Sequence, residues 1–269
     1  MYKIDLLKKK IAELEFELIY ISEVDSTMRI IEKEARVNSK DRIIVLTDHQ
    51  TKGVGRIGRL WLDCPQSSII FSILMKIPQS SIATFADLVA LAVINAVQKT
   101  TGLTDIKIKY PNDIVLADKK LGGILVKNIY DDKLKYLGTN IGIGLNIHYT
   151  EDMFKDFLTD YPATALGICM GTPVNRQNLL LQILQTLRYL DTEIAALETN
   201  PRVKAQFDIQ WRNASSMLGR KISILKQDIV IATGLVTDAA LGKGIELATT
   251  TGKKWYSLFE TDMKARIAN

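Results

Sequence analysis

The chain has 269 residues, 47% of them hydrophobic, with 35 Lys and Arg against 30 Asp and Glu, for a formal charge of +5. Those values suit one or two globular domains with a sizeable core and exclude disordered and fibrous classes. The basic excess is spread along the chain, so it permits an anionic partner without forming a nucleic-acid footprint.

The N-terminal "MYKIDLLKKK" mixes charged and apolar residues and has no signal-peptide core. The longest apolar run, "LVALAVINAV", is about half of what a membrane span needs, so a soluble cytoplasmic protein is expected. Cys64 and Cys169 lie far apart without metal or redox spacing and are expected to be buried free thiols.

In chain order, "IDLLKKKIAELEFELIY" has apolar residues three and four apart and predicts an amphipathic helix. Asp25, Ser26 or Thr27 can cap a second helix over "MRIIEKEARV". "RIIVLT" reads as a buried strand, a glycine-rich loop follows, and "SIIFSILMKI" reads as another strand. A long helix over "TFADLVALAVINAVQKT" ends at Gly102. From "IKIKY" to "GTNIGIGLNIH", short strands separated by Asp, Asn, Lys and Gly predict an antiparallel meander. Two helices follow, in "NRQNLLLQILQTLRYLDTEIAALET" and after Pro201. Gly219 opens a run of short strands and glycine turns, enough for a small β-barrel or sandwich. The expected division is a domain of residues 1–218 and a small β domain of residues 219–269.

In "TKGVGRIGRLW", Gly53, Gly55 and Gly58 have the spacing of a dinucleotide-binding loop. That loop needs a helix directly after it and an acidic residue about twenty positions on. Here Pro65 and an alternating β-branched run follow, and positions 73–76 are Ile73, Leu74, Met75 and Lys76. Both requirements fail. Arg56 and Arg59 among the glycines still point to an anion, because guanidinium forks and unhindered backbone N–H groups converge on oxyanions. A second cationic set lies in "IKIKYPNDIVLADKKLGGILVK": Lys109 before a Pro-Asn-Asp turn, and Lys120 before paired glycines.

"DST" at 25–27, "GVGRIGRLW" at 53–61, "KYPND" at 109–113, "KKLGGIL" at 119–125 and "GIGLN" at 142–146, in that order before a β-rich tail, closely resemble biotin protein ligases. The resemblance implies an α+β fold: a mixed, mainly antiparallel sheet backed by helices, like class II aminoacyl-tRNA synthetases, plus a small C-terminal β-barrel. It implies that biotin and ATP, with Mg2+, give biotinyl-5'-AMP, and that biotin then passes to a lysine of a biotin carboxyl carrier protein or the carrier domain of a biotin-dependent carboxylase.

By the same resemblance, Ser26, Thr27, Met28 and Gln50 would meet the biotin head group, and Gly53, Val54, Gly55 and Arg56 would lie on a loop closing over biotin and its adenylate. Lys120 and Arg56 would act at the reacting carboxylate and phosphate. Arg59, Trp61, Lys109, Asn112, Asp113 and Asn146 would surround ATP, and Gly123, Gly142 and Gly144 would line the ligand. Lys254 and Trp255 would lie where the tail can approach the nucleotide, with a hydrophobic packing role for Trp255 as the alternative. No protein metal cluster is expected.

Three positions depart from the pattern: Val54 where arginine is common, Met28 where a polar residue is common, and Tyr110 where tryptophan is common. About twenty residues precede the resembling region, too few for a helix-turn-helix domain, so neither DNA nor membrane binding is expected, and the chain would be a monomer or homodimer. Lipoate or octanoate ligases and transferases share the architecture, but their "RRxSGGG"-like loop and its following histidine are not found. A non-catalytic binding module would not need cations converging on a carboxylate. His49 and His148 have no partners suggesting catalysis and read as structural.

Overall fold

A computed structural model describes residues 2–37, 40–155, 162–257 and 263–268. Helix α1 spans Ile4–Ala12, and Leu7 and Ile11 are buried. The expected longer helix is corrected here. Glu15 has a left-handed φ of 63°, and Glu17–Val24 forms strand β1, as suits the β-branched and aromatic run after Phe16. The apolar spacing fitted a helix only while its first two turns lasted.

Helix α2 (Thr27–Val37), strand β2 (Ile43–Gln50), the two-residue strands β3 (Gly53–Val54) and β4 (Leu60–Trp61), and β5 (Ser68–Met75) follow. Helix α3 (Ile82–Thr101) stops at Gly102, whose φ of 75° is readily reached by glycine. The meander comprises β6 (Ile106–Lys109), β7 (Asp113–Leu116), β8 (Lys119–Tyr130) and β9 (Tyr136–Asn146). Then come α4 (Leu166–Met170), α5 (Arg176–Thr199) and α6 (Pro201–Ala214). Strands β10 (Lys221–Lys226), β11 (Ile229–Ala240), β12 (Gly244–Thr249), β13 (Gly252–Tyr256) and β14 (Met263–Ile267) end the chain.

The main sheet has the order β1-β2-β5-β9-β8-β7-β6. Its β1–β2 pair is parallel and its other pairs are antiparallel. Both faces are covered. On β2, Ile43 and Val45 pack with Ile31 and Ala35 of α2, while Ile44 and Leu46 join the core that contains α1, α3 and α5. This explains why β5 is a continuous apolar run and not an alternating one: all eight of its residues are buried.

Helix α3 and the turn before it, Gln79–Thr101, are long and apolar enough to cross a membrane by length and composition. However, 78% of the most apolar window is buried inside the fold. The thiols also depart from expectation: both are free, but Cys64 is half-buried and Cys169 is exposed.

Strands β13-β12-β11-β10-β14 form a second, antiparallel sheet. Its inner residues Ile222, Ile224, Val236 and Leu247 belong to the same buried cluster as Phe207 and Trp211 of α6. The β11–β12 turn is seated by two carboxylates: Asp87 accepts from the Gly242 N–H (2.8 Å), and Asp208 accepts from the Leu241 N–H (3.1 Å). Gly242 is required there, because its φ is 67° and a Cβ would lie 2.4 Å from Thr84 Oγ1.

Burial pushes the Asp87 carboxyl well above its usual range, and the Gly242 N–H opposes this only in part. A carboxyl that holds its proton more tightly folded than unfolded loses stability as pH rises from its unfolded pKa to the raised folded one, and is level above that. Asp87→Asn keeps the acceptor without the charge. Its unfolding midpoint in urea, relative to wild type, should therefore improve between pH 4.5 and 8; parallel pH profiles would refute the assignment.

Candidate active site

The parallel β1–β2 pairing sets Val24 opposite Gln50, which brings the start of α2 beside the end of β2. The Thr27 N–H (2.8 Å) and Oγ1 (3.1 Å) donate to Gln50 Oε1, and Thr27 Oγ1 shares a 2.7 Å hydrogen bond with Ser72 Oγ. Asp25 accepts from the Ser26 N–H (2.6 Å) and from the Arg29 guanidinium (2.8 Å) just before the helix. Asn140 Nδ2 donates to the Met28 carbonyl from below (2.8 Å). The Ser26 hydroxyl is buried without a hydrogen-bond partner among the described residues.

The glycine stretch is a hairpin: β3 and β4 pair Gly53 with Trp61 and Val54 with Leu60. Its turn includes Ile57 and Gly58 at left-handed φ values of 54° and 71°. No helix follows it to receive a pyrophosphate, which removes the dinucleotide reading. The Trp61 ring lies on β9, where a Cβ at Gly144 would come within 2.5 Å of it. A Cβ at Gly142 would meet Met28 Sδ at 2.6 Å. Bare backbone at these two positions is therefore what lets Trp61 and Met28 settle on the strand. Trp61 Nε1 is buried and has no partner among the described residues.

Around these groups is a cavity of about 670 Å³, a size usual for small-molecule sites. Its cations are Arg56, Arg59, Lys109, Lys120, Lys264 and Arg266, and among its described lining residues Asp113 is the one carboxylate. Lys120 sits at a β-bulge where Val115 pairs with Lys120 but Ile114 pairs with Gly122. The extra residue, Leu121, is buried, so the bulge re-aims Lys120. Its ammonium pairs with Asp113 at 2.7 Å.

Arg56 donates to Asn112 Oδ1 (3.2 Å) and to the Met263 carbonyl on β14 (3.4 Å). Burial lowers the Arg56 pKa, opposed by Asp113. Burial also lowers that of Lys109; Asp113 opposes this, and Lys120 and Arg59 add to it. Crowded like charges in a partly desolvated cavity favour a polyanion that neutralises them.

The structure brings Thr27, Met28, Gln50, Val54, Gly55, Arg56, Arg59, Trp61, Lys109, Asn112, Asp113, Lys120, Gly123, Gly142, Gly144 and Asn146 to this cavity. Ser26 and Gly53 are not in its lining. Gly53 instead serves the hairpin, since a Cβ there would lie 2.5 Å from the Trp61 carbonyl. Asn146 Nδ2 donates to the Thr164 carbonyl (3.0 Å), so it braces the wall. Tyr110 packs edge-on against Trp211 at 6.4 Å.

Lys254 and Trp255 are also absent from the lining; Lys243 lies 3.9 Å over the Trp255 ring. The C-terminal sheet reaches the cavity through Lys264, Arg266 and Ile267 of β14 instead. Their only sequence signal was a basic, alternating "MKARI", too short to distinguish from an ordinary edge strand. His49 faces Asp63 at 3.0 Å and His148 the Val174 carbonyl at 2.8 Å. Among the described residues no three His, Cys, Asp or Glu side chains form a metal cluster.

Residues 20–146 match the biotin/lipoate A/B protein ligase family. The chain is 33% identical over 171 residues to a bifunctional ligase/repressor of Bacillus spizizenii, an overlap of 62% of this chain and 51% of that protein. It is 27% identical over 183 residues to a biotin–[acetyl-CoA-carboxylase] ligase of Mycobacterium tuberculosis, covering 66% and 58% of the two chains. The chain thus spans about half the length of the first of these relatives. In fold it resembles the biotin protein ligase from Aquifex aeolicus solved in complex with biotin and ATP, with a TM-score of 0.74, 24% identity, and coverage of 93% of this chain and 99% of that one.

Proposed function

From the match of residues 20–146 to the biotin/lipoate A/B protein ligase family, we infer an ATP-dependent biotin protein ligase. The observation that carries this reading is the cavity itself: one part of its lining residues is six cations and one carboxylate, and another is Thr27, Gln50, Phe71 and the Met28-covered strand. An apolar acid with polar ring groups suits the second part, and a polyphosphate suits the first.

In the first half-reaction a biotin carboxylate oxygen attacks the α-phosphorus of ATP, the bond to the β-phosphate breaks, and pyrophosphate leaves. Two anions must meet, so Lys120 and Arg56 neutralise the carboxylate and the phosphate while Arg59 and Lys109 draw charge toward the departing end. Lys120 would exchange Asp113 for the incoming oxyanion. In the second half-reaction the neutral amine of a carrier lysine attacks the acyl carbon. AMP leaves, the amine loses a proton, and an amide remains.

Asn112 and Asp113 offer an amide and a carboxylate oxygen at the cavity, which fits Mg2+ carried mainly by phosphate and water. These two would be its protein donors; the ion would supply further charge neutralisation. The glycine hairpin would exclude water from the acyl-adenylate. We also propose that residues 1–218 form the catalytic domain and 219–269 a domain completing it, in a cytoplasmic monomer or homodimer.

The test mixes the protein with MgATP, an apo carrier domain, and either biotin or lipoate, and reads the carrier's mass. A biotin-sized increase is expected. A lipoate-sized increase alone would move the chain to the other branch of the family, and no increase with either acid would overturn the ligase reading.

A further inference from the structure

Beside the cavity mouth the β10–β11 hairpin carries three consecutive exposed branched aliphatics: Ile229 (67% exposed), Val230 (55%) and Ile231 (48%). The turn itself, Gln227–Asp228, is polar as turns ordinarily are, but the strand end beside it, called the tip below, is a contiguous exposed apolar stretch of the kind that marks a surface meeting something. This tip is fastened to the cavity wall. Asp228 in its turn ion-pairs with Lys264, itself a lining residue, and β14 runs alongside β10 with Met263 opposite Lys226. That ion pair holds the Asp228 carboxyl below its usual range, and Arg266 and Arg59, two more lining residues, add to the effect. Arg59 lies on the glycine hairpin, which presents its own exposed Ile57 and Leu60 at the cavity.

We propose that the Ile229–Ile231 tip is a docking edge for the acyl-accepting protein, an acidic-surfaced carrier domain whose modifiable lysine sits beside an apolar patch. The proposal rests on the ligase reading. The activated carbonyl forms inside the cavity, so the acceptor must lie over the mouth for its lysine to enter, and whatever borders the mouth is in its path. Charge selects the same partner: Arg59 and Arg266 are exposed there, and the chain carries a formal +5. The tip would supply affinity by apolar burial while the arginines steer and orient an acidic surface.

The experiment compares wild type, the double variant Ile229→Ser/Ile231→Ser, and Leu134→Ser. Leu134 is 83% exposed but lies in the β8–β9 turn, roughly 30 Å along the strands from the Gly123–Gly144 end at about 3.3 Å per residue. Three readouts are taken: biotin-dependent ATP–pyrophosphate exchange, biotin transfer to hydroxylamine, and transfer to the apo carrier domain. The double variant should match wild type in the first two and raise the carrier KM at least tenfold, with Leu134→Ser unchanged throughout.

A wild-type carrier KM in the double variant overturns the proposal, as does loss of its exchange activity, which would place the tip within the active site. Conversion of a wild-type dimer to monomer in the double variant would give the tip to a second copy of this chain and also overturns it. Absence of exchange in wild type is a different result: it removes the ligase reading itself.

Discussion

Lys120→Ala is expected to lower biotin-dependent ATP–pyrophosphate exchange by about 10²–10³-fold, the loss usual when a preorganised group facing developing charge is removed. The bulge at Leu121 directs Lys120 to the cavity, and its Asp113 partner at 2.7 Å keeps it extended there. Removal would take away the cation that leaves Asp113 to meet the incoming carboxylate and phosphate, so the two anions would approach each other less neutralised. Lys120→Arg retains the charge but replaces a compact ammonium by a planar fork; it should recover part of the rate. Normal exchange in the alanine variant, with an unchanged melting profile, would take Lys120 out of the chemistry.

Arg56→Gly is expected to shorten adenylate retention at least tenfold and to label bystander lysines. The guanidinium joins the glycine hairpin to Asn112 (3.2 Å) and to the Met263 carbonyl (3.4 Å). Hydrogen bonds from a charged donor contribute about 1.5–3 kcal/mol each, so losing the pair loosens the hairpin turn against Asn112 and β14 while Trp61 still seats its other strand on β9. A chase of labelled biotinyl-adenylate, with albumin as bystander, measures both effects. Retention as long as in wild type would show that the hairpin closes without this side chain.

The local signals were legible. Gly102 ended its helix, Pro-Asn-Asp reversed the meander, and the apolar run 43–46 read as a buried strand, which the structure covers on both faces. The order of five short motifs was enough to gather most of one cavity wall, because each sits at an element end that the sheet pairing brings together. Long-range consequences were less legible. Arg56 and Met263 are 207 positions apart, and nothing local in "MKARI" says that it closes a pocket. β1 was absorbed into a helix because apolar spacing over residues 4–20 satisfies two periodicities until a backbone reversal at Glu15 separates them. Ser26, expected to meet the biotin head group, is buried beside Thr27 and outside the cavity lining, a placement that neighbours in sequence do not decide.

The shared core of α6 and the second sheet has a thermodynamic consequence. Phe207 and Trp211, 7% and 2% exposed, belong to the same buried cluster as Ile222 and Val236, and the strand that closes the ligand cavity is carried by that same sheet. The two sheets therefore belong to one cooperative unit. Conditions that melt the tail uncover the apolar flank of the helical layer and empty one wall of the pocket in the same event, so ligand that fills the pocket stabilises a region far larger than it touches.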